Sequence, residues 1–141
     1  GDGIMAVWGS PVEEPQAALK AVGAAVKMQE AMAEFNEMRV SEGLEAMTMG
    51  IGIDTGMLVA GYMGSTKTMN YTVIGPPVNL AARLCGVAKG HQVLISDNTL
   101  SKLPETVGVE SLPPIRLKGI SEEVIPHWVH DMGPVDSTHT G

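Results

Sequence analysis

Asn79 and Arg83 are the two side chains of this sequence whose types and spacing best suit chemistry on a ligand. They lie four residues apart in the stretch YTVIGPPVNLAARL, on one face of a predicted helix that follows an apolar strand and Gly-Pro-Pro. Ligands of open sheets often bind around such a junction. There an arginine can grip an oxyanion with its planar fork, and an asparagine can hydrogen-bond a sugar oxygen or orient a metal-bound group. Spacing alone favours a structural alternative, in which Asn79 caps the helix or bonds a strand and Arg83 forms a surface salt bridge.

Three further side chains are candidates for contact with a charged ligand. Asp2 sits in a Gly-flanked turn from which a carboxylate can reach a divalent cation, although Asp-Gly is also ordinary hairpin chemistry. The Thr72 hydroxyl can read a base edge, or Thr72 is simply a β-branched strand residue. Lys118, in RLKG, can meet a terminal phosphate as a point charge, or it is solvated at a strand end. The histidines show no metal-ligand spacing, and no Walker-type loop or Ser-His-Asp arrangement is indicated.

Composition narrows the class of partner. The chain has 141 residues, 44% of them hydrophobic, with a net charge of -7 and a pI near 4.9. This charge argues against a nucleic-acid polymer, whereas a single nucleotide remains compatible if a metal ion carries the phosphate charge. The one cysteine, Cys85, excludes an internal disulfide and favours a reducing compartment. No apolar run is long enough to span a bilayer, and the start does not resemble a signal peptide.

Hydrophobic periodicity predicts the elements that position these residues. In chain order they are a strand over Ile4–Trp8, a helix from Pro15 to about Glu42, two strands joined around Asp54–Gly56, a strand over Asn70–Ile74, a helix ending around Ala88–Gly90, the strand QVLIS, the short helix DNTLSKL with Ser96 or Asp97 as N-cap, strand segments in VGVES and IRLKG, and a last strand EVIPHWV with Pro126 at an edge. This order predicts an α+β domain with one mixed or antiparallel sheet and helices against one face.

We expect one domain over residues 1–130, followed by a flexible tail over residues 131–141. The chain opens without methionine on GDGIMAVWG, which reads as the turn and second strand of a β-hairpin. The sequence therefore suggests a domain that is truncated at its N-terminus.

Four blocks occur in a characteristic order: GDGIMAVWG, GIGIDTGMLVAGYMGS, NYTVIGPPVNLAARL and RLKG. Together they resemble the catalytic domain of class III nucleotidyl cyclases, the adenylyl and guanylyl cyclases that convert a nucleoside triphosphate into a 3′,5′-cyclic monophosphate and pyrophosphate. The resemblance runs from Gly1 to about Val129. It looks most like the Thr-type subgroup of bacterial and soluble adenylyl cyclases, and it implies a ferredoxin-like α+β fold.

The resemblance also implies a role for each candidate residue. Asp2 matches the second of the family's two metal-binding aspartates. Thr72 matches the base-reading position, which is Asp or Thr in enzymes that use ATP and usually Cys in those that use GTP. Asn79 and Arg83 match the pair that positions the ribose and stabilises charge developing at the α-phosphate. Lys118 resembles a basic residue that contacts the outer phosphates.

Two departures from the family pattern affect these expectations. The first metal aspartate and the base-reading lysine of the family would fall upstream of Gly1, so we do not expect this fragment alone to cyclise ATP. Met57 stands where some relatives carry an arginine, so binding of the outer phosphates is expected to depend more on Lys118.

The implied function is that of an adenylate cyclase, a phosphorus–oxygen lyase that converts ATP into cyclic AMP by two-metal-assisted intramolecular phosphoryl transfer with Mg²⁺ or Mn²⁺. The resemblance implies a homodimer or pseudo-symmetric heterodimer with composite sites, in which Asp2 of one subunit faces Thr72, Asn79 and Arg83 of the other. A guanylyl cyclase and a non-catalytic nucleotide-sensing or dimerisation module are the alternatives. We expect a cytoplasmic domain without direct membrane contact, with room for a tether through an N-terminal membrane or sensor module.

Overall fold

The computed structural model describes residues 3–65 and 67–133 of the chain. Its helices and strands are, in chain order, α1 (Ala17–Ser41), β1 (Ile51–Ile53), β2 (Val59–Ser65), β3 (Thr68–Ile74), α2 (Pro76–Val87), β4 (Val93–Ile95), α3 (Asp97–Leu100), β5 (Gly108–Ser111), β6 (Ile115–Arg116), β7 (Glu123–Val124) and β8 (His127–Asp131). Within these ranges, no helix is long and apolar enough to cross a membrane.

A mixed four-stranded sheet forms the centre of the domain, in the order β1-β4-β8-β5. β1 and β4 are parallel, and β8 runs antiparallel to both β4 and β5. Two antiparallel ribbons, β2–β3 and β6–β7, stand apart from this sheet. The α+β class with a mixed sheet is therefore confirmed, whereas the expected single sheet is divided into three. Strand patterns indicate which residues are extended, but they do not specify which strands become neighbours.

The two long helices pack on opposite faces of the sheet, which differs from the single covered face that we expected. Val22 of α1 shares a buried cluster with Val93 and Ile95 of β4. Leu84 of α2 shares a second cluster with Leu94, the residue between them. Successive side chains of a strand point to opposite faces, so β4 is covered on both sides. Its unbroken apolar run is the sequence signal of such a strand.

The predicted long helix is confirmed as α1, with Gly43 just beyond its end at φ +81°. Beyond the sheet, polar side chains of α1 bind the backbone that follows the helix. Gln29 Nε2 donates to the Met49 carbonyl at 2.5 Å, and the Asn36 side chain contacts both the amide nitrogen and the carbonyl oxygen of Met47, each at 2.7 Å. These bonds guide the returning chain into β1.

Two strand predictions are wrong. Residues 4–8 form no strand, and Ile4 is 89% exposed, because no other part of the described ranges pairs with this segment. Pro126 does not lie on an edge strand. It is buried in the short connection after β7, and β8 begins at the next residue. A proline lacks the amide hydrogen that a continuous ladder would need there. Of the predicted tail, Asp131 is the last residue of β8, and residues 134–141 lie outside the described part.

Candidate active site

Glycines seat α2 directly against β1. A Cβ at Gly52 would overlap backbone atoms of Ala81 and Cys85, so the helix approaches the strand more closely than a side chain would allow. Gly75, at the N-cap, has φ +154°, and a Cβ there would lie 3.1 Å from Leu58 Cα. Pro76 then occupies the first helical position, where its missing amide hydrogen costs nothing. The Gly-Pro-Pro sequence thus sets the direction in which the helix leaves the strand.

Asn79 and Arg83 lie on the outer side of α2, since both are exposed while Leu84 is fully buried. The structural alternative for the pair is not observed. Gly75, not Asn79, is the N-cap and has no side-chain cap bond. Arg83 takes part in none of the ion pairs among residues 3–65 and 67–133. The pair therefore presents an amide and a guanidinium to solvent, one helical turn apart.

A tight turn between β6 and β7 meets Arg83. The Ile120 amide donates to the Leu117 carbonyl at 3.1 Å, which places Lys118 and Gly119 at the centre of the turn. A Cβ on Gly119 would lie 3.8 Å from Arg83 Nη2, so the guanidinium rests against the backbone of the turn. Arg83 and Lys118, which are 35 residues apart in sequence, are thus brought into one neighbourhood.

Buried leucines on both sides hold this neighbourhood together. Leu84, next to Arg83, and Leu117, next to Lys118, belong to the same core cluster at 0% and 5% exposure. Ile120, on the other side of the turn, packs against that cluster as well. The backbones that carry the two cations are therefore held by the same apolar cluster, while the charged side chains themselves are exposed to water. Like Arg83, Lys118 forms no ion pair with any described residue.

Thr72 lies on β3 and is half-buried, directly across the ribbon from Gly61. Its Oγ1 donates to the Asn70 carbonyl at 3.3 Å, a long bond within the same strand. A Cβ added to Gly61 would meet no atom within 4 Å, so the space beside the Thr72 hydroxyl is open. A hydroxyl in this setting can exchange its weak internal bond for one to a ligand.

The proposed metal ligand, Asp2, lies outside the described residues. Within the described ranges, no group of three or more His, Cys, Asp or Glu side chains could hold a metal ion. The residues of the site that the structure describes are thus suited to binding an anion and do not by themselves form a metal centre.

A hydrogen-bonded Ser-His-Asp arrangement, which the sequence did not indicate, links two strands of the central sheet to α3. Ser111 Oγ lies 2.8 Å from His127 Nδ1, and His127 Nε2 lies 2.6 Å from Asp97 Oδ1. The imidazole is buried, at 5% exposure, and both of its nitrogens are satisfied. These two hydrogen bonds connect β5 and β8 to the start of α3. The members of this arrangement are too far apart in sequence for spacing to have revealed it.

The comparisons with known proteins point to one family. Residues 1–131 match the family model described as the adenylate and guanylate cyclase catalytic domain. Adenylate cyclase 1 of Rhizobium meliloti (strain 1021) is 32% identical over 123 residues, which are 86% of this chain and 18% of that relative. The chain therefore spans about a fifth of the length of the curated relative that it matches.

Two solved structures share the fold closely. The guanylyl cyclase Cya2 superposes with a TM-score of 0.84 and 35% identity, over 92% of this chain and 66% of that one. The adenylyl cyclase CyaB from P. aeruginosa superposes with a TM-score of 0.82 and 29% identity, over 88% of this chain and 65% of that one. Proteins named for either nucleotide specificity thus resemble this chain.

Proposed function

Because this chain belongs to the family of adenylate and guanylate cyclase catalytic domains, we propose that it carries the activity of an adenylyl cyclase, which converts ATP into 3′,5′-cyclic AMP and pyrophosphate. One observation carries the proposal beyond family membership. On a protein of net charge -7, the Arg83 guanidinium lies beside the turn that carries Lys118, and neither side chain has a carboxylate partner among the described residues. Two cations kept unpaired on an acidic surface are suited to a polyphosphate.

Arg83 stabilises the transition state in this proposal. The ATP 3′-hydroxyl gives its proton to solvent as its oxygen attacks the α-phosphorus in line. The 3′-oxygen–phosphorus bond forms, the bond from the α-phosphorus to the oxygen that bridges to the β-phosphate breaks, and pyrophosphate leaves with the electrons of that bond. Charge on the phosphoryl oxygens shifts during this step, so a fixed guanidinium stabilises the transition state more than the ground state. Asn79, one turn earlier on α2, holds the ribose in position for the attack. Lys118 binds the outer phosphates, which become the leaving group.

Domains of this family generally use divalent metal ions. We propose Asp2 as a ligand for Mg²⁺ or Mn²⁺, with two ions per site in the complete enzyme. Such ions would offset the charge of the triphosphate and hold the reacting oxygens in line.

Thr72 selects the base in this proposal. Its hydroxyl faces open space across from Gly61, where an adenine edge can replace the 3.3 Å bond to the Asn70 carbonyl. A wrong base would leave a polar group unpaired at this half-buried position, and such mismatches discriminate strongly.

The family works as dimers, and we propose a homodimer with composite sites, or a pseudo-symmetric heterodimer. The β2–β3 ribbon supports this proposal because it carries large apolar side chains in water. Val59 is 65% exposed, Tyr62 69% and Met69 58%, and Met57 just before the ribbon is 90% exposed. Exposed large apolar side chains of this kind, on both faces of a ribbon, are typical of an interaction site. Arg83 and Lys118 are both exposed and are suited to closure by a second subunit.

Parallel assays with ATP and GTP on the full gene product test this function. We expect cyclic AMP and pyrophosphate in equal amounts from ATP with Mg²⁺ or Mn²⁺, no product after chelation with EDTA, and a lower kcat/KM for GTP. The Lys27→Ala variant removes one exposed cation from the distant helix α1 and is expected to keep full activity. Absence of cyclic nucleotide from both substrates would refute a cyclase and favour a non-catalytic module.

Guanylyl cyclase activity is the second candidate, and the high similarity to Cya2, at 35% identity, favours it. Thr72 favours ATP instead, since its hydroxyl is suited to the adenine edge in this family. A kcat/KM for GTP above that for ATP would replace our assignment with this one.

A further inference from the structure

Helix α2 is anchored at two points, and each lies beside one residue of the candidate site. Pro77 and Leu84 are the two buried residues of this helix. Asn79 follows Pro77 by two positions, and Arg83 immediately precedes Leu84. The core cluster around Leu84 therefore holds the part of α2 that carries Arg83. The place of Asn79 depends instead on what Pro77 packs against.

Pro77 packs against the turn that joins β1 to β2, which consists of residues 54–58. A Cβ added to Gly56, in the middle of this turn, would lie 2.9 Å from Pro77 Cγ. Leu58, at the end of the turn, lies against the N-cap of α2, since a Cβ on Gly75 would be 3.1 Å from Leu58 Cα. The β1–β2 turn therefore supports the first turn of α2, and no side chain separates them at position 56.

The opposite side of the β1–β2 turn is held by α3. Asp54 Oδ1 accepts a hydrogen bond from Ser96 Oγ. Thr55 Oγ1 lies 2.8 Å from Thr99 Oγ1. Ser96 and Thr99 are buried, at 3% and 0% exposure. Because the turn is bonded to buried groups on this side, a larger residue at position 56 would press on the start of α2.

We propose that Gly56 is a positioning residue for Asn79, because its missing side chain lets the start of α2 pack directly on the β1–β2 turn. The inference rests on the proposed function, in which Asn79 holds the ribose for the in-line attack. Gly56 does not have a left-handed φ, so space alone requires a glycine here. An alanine suits the backbone of the turn but overlaps Pro77.

The size of the effect follows from this overlap. Non-bonded carbon atoms attract best at about 3.5–4.0 Å, so a contact of 2.9 Å forces the turn and the start of α2 apart by about 0.6–1 Å. A misplacement of about 1 Å can lower the rate of a positioned reaction about 10²-fold. We therefore expect Gly56→Ala to lower kcat with ATP by about tenfold or more. The KM is expected to change less, since Arg83 and Lys118 still bind the phosphates.

Gly50→Ala is the matched control. A Cβ on Gly50 would lie 2.9 Å from Ala88 Cβ, which is the same separation, but Ala88 is the C-cap at the other end of α2. The added Cβ would also lie 3.1 Å from the Ala88 carbonyl oxygen and 3.2 Å from that of Cys85. We expect Gly50→Ala to lower the melting temperature at least as much as Gly56→Ala, and to keep kcat within about threefold of the parent.

Pro77→Ala provides a compensating change. It removes Cγ and Cδ of the ring, so the atom of residue 77 that remains near an added Cβ at position 56 is Cβ, at 4.0 Å. The overlap is therefore absent from the double variant Gly56→Ala/Pro77→Ala. We expect its kcat to lie within about twofold of that of Pro77→Ala alone. Such coupling between two substitutions is expected when the two positions are in contact.

The experiment measures kcat and KM for ATP and the melting temperature of the parent, the three single variants and the double variant, all in the full gene product. We expect a fall in kcat that is specific to Gly56→Ala and is reversed when Pro77→Ala is added. If Gly56→Ala alone does not fold, the comparison of the double variant with Pro77→Ala decides, and a double variant that lacks activity while Pro77→Ala is active contradicts the inference.

A parental kcat for Gly56→Ala would overturn the positioning role while leaving the cyclase assignment intact. Equal losses of kcat in Gly56→Ala and Gly50→Ala would also overturn it, since general destabilisation would then explain the effect. A double variant no more active than Gly56→Ala would do the same, because the contact with Pro77 would not be the cause. A parent protein without cyclase activity would instead refute the proposed function, and this inference with it.

Discussion

Leu84→Ala tests whether the core beneath the candidate site holds its parts together. Leu84 is fully buried and packs with Leu94 of the central sheet and Leu117 of the β6–β7 turn. It is also the neighbour of Arg83 on α2. Truncation removes the contact that joins the helix, the sheet and the turn.

The expected cost is large for a single substitution. Leucine-to-alanine changes at fully buried sites lower the free energy of unfolding by about 2–5 kcal/mol. The loss is the transfer free energy of the removed atoms plus the cost of the cavity that they leave behind. Leu84 is 0% exposed and closed in by three elements, so we expect about 3 kcal/mol of lost unfolding free energy. For a domain of this size, that loss lowers the melting temperature by roughly 10 °C.

Urea and thermal unfolding of the chain, followed by circular dichroism, measure this loss. Leu44→Ala is the matched control, since Leu44 is 48% exposed after α1 and its truncation should cost less than about 1 kcal/mol. If the two variants unfold at the same urea midpoint, the cluster does not anchor α2 and the turn, and our account of how Arg83 meets Lys118 is wrong.

Two other substitutions test contacts of the central sheet. Gly52→Ala should lower the free energy of unfolding by more than about 1 kcal/mol, because its Cβ would overlap the α2 backbone. Gly86→Ala, at a position of α2 with open space around it, should raise the free energy of unfolding by roughly 0.5–1 kcal/mol. Equal urea midpoints for the two variants would contradict the close packing of α2 on β1. Asp97→Ala should lower the free energy of unfolding by about 1 kcal/mol, because it removes the 2.6 Å bond from a carboxylate that is 73% exposed to His127 Nε2. The control is Glu105→Ala, which removes an exposed carboxylate without an ion pair in the described ranges and should leave the free energy of unfolding unchanged.

Local structure was predictable from the sequence where all the residues that determine it lie in one segment. The apolar period of α1 and the Gly-Pro-Pro start of α2 predicted both helices to within three residues. Ser96, one of the two expected caps, does cap α3, since its Oγ accepts from the Thr99 amide at 3.2 Å. These features depend on neighbours along the chain, which a sequence shows directly.

Long-range relations were not predictable in this way. The meeting of Arg83 with the Lys118 turn depends on two leucines from distant segments that share one cluster. The partition of the strands into a sheet and two ribbons, and the helices on opposite faces, likewise follow from contacts between segments. Residues 4–8 were predicted to be a strand from their apolar run alone. Such a run forms a strand only when a neighbouring strand is available to pair with it. Asn79 and Arg83 were identified by spacing, and their roles stay predictions.

The turnover number of Arg83→Ala with ATP tests the central claim most directly. Because Arg83 is proposed to stabilise charge that develops only in the transition state, we expect kcat to fall by about 10²- to 10³-fold while KM changes little. Arg83→Lys should recover only part of the loss, since an ammonium lacks the planar fork. A kcat within twofold of the parent for Arg83→Ala, in protein that melts at the parental temperature, would contradict the account.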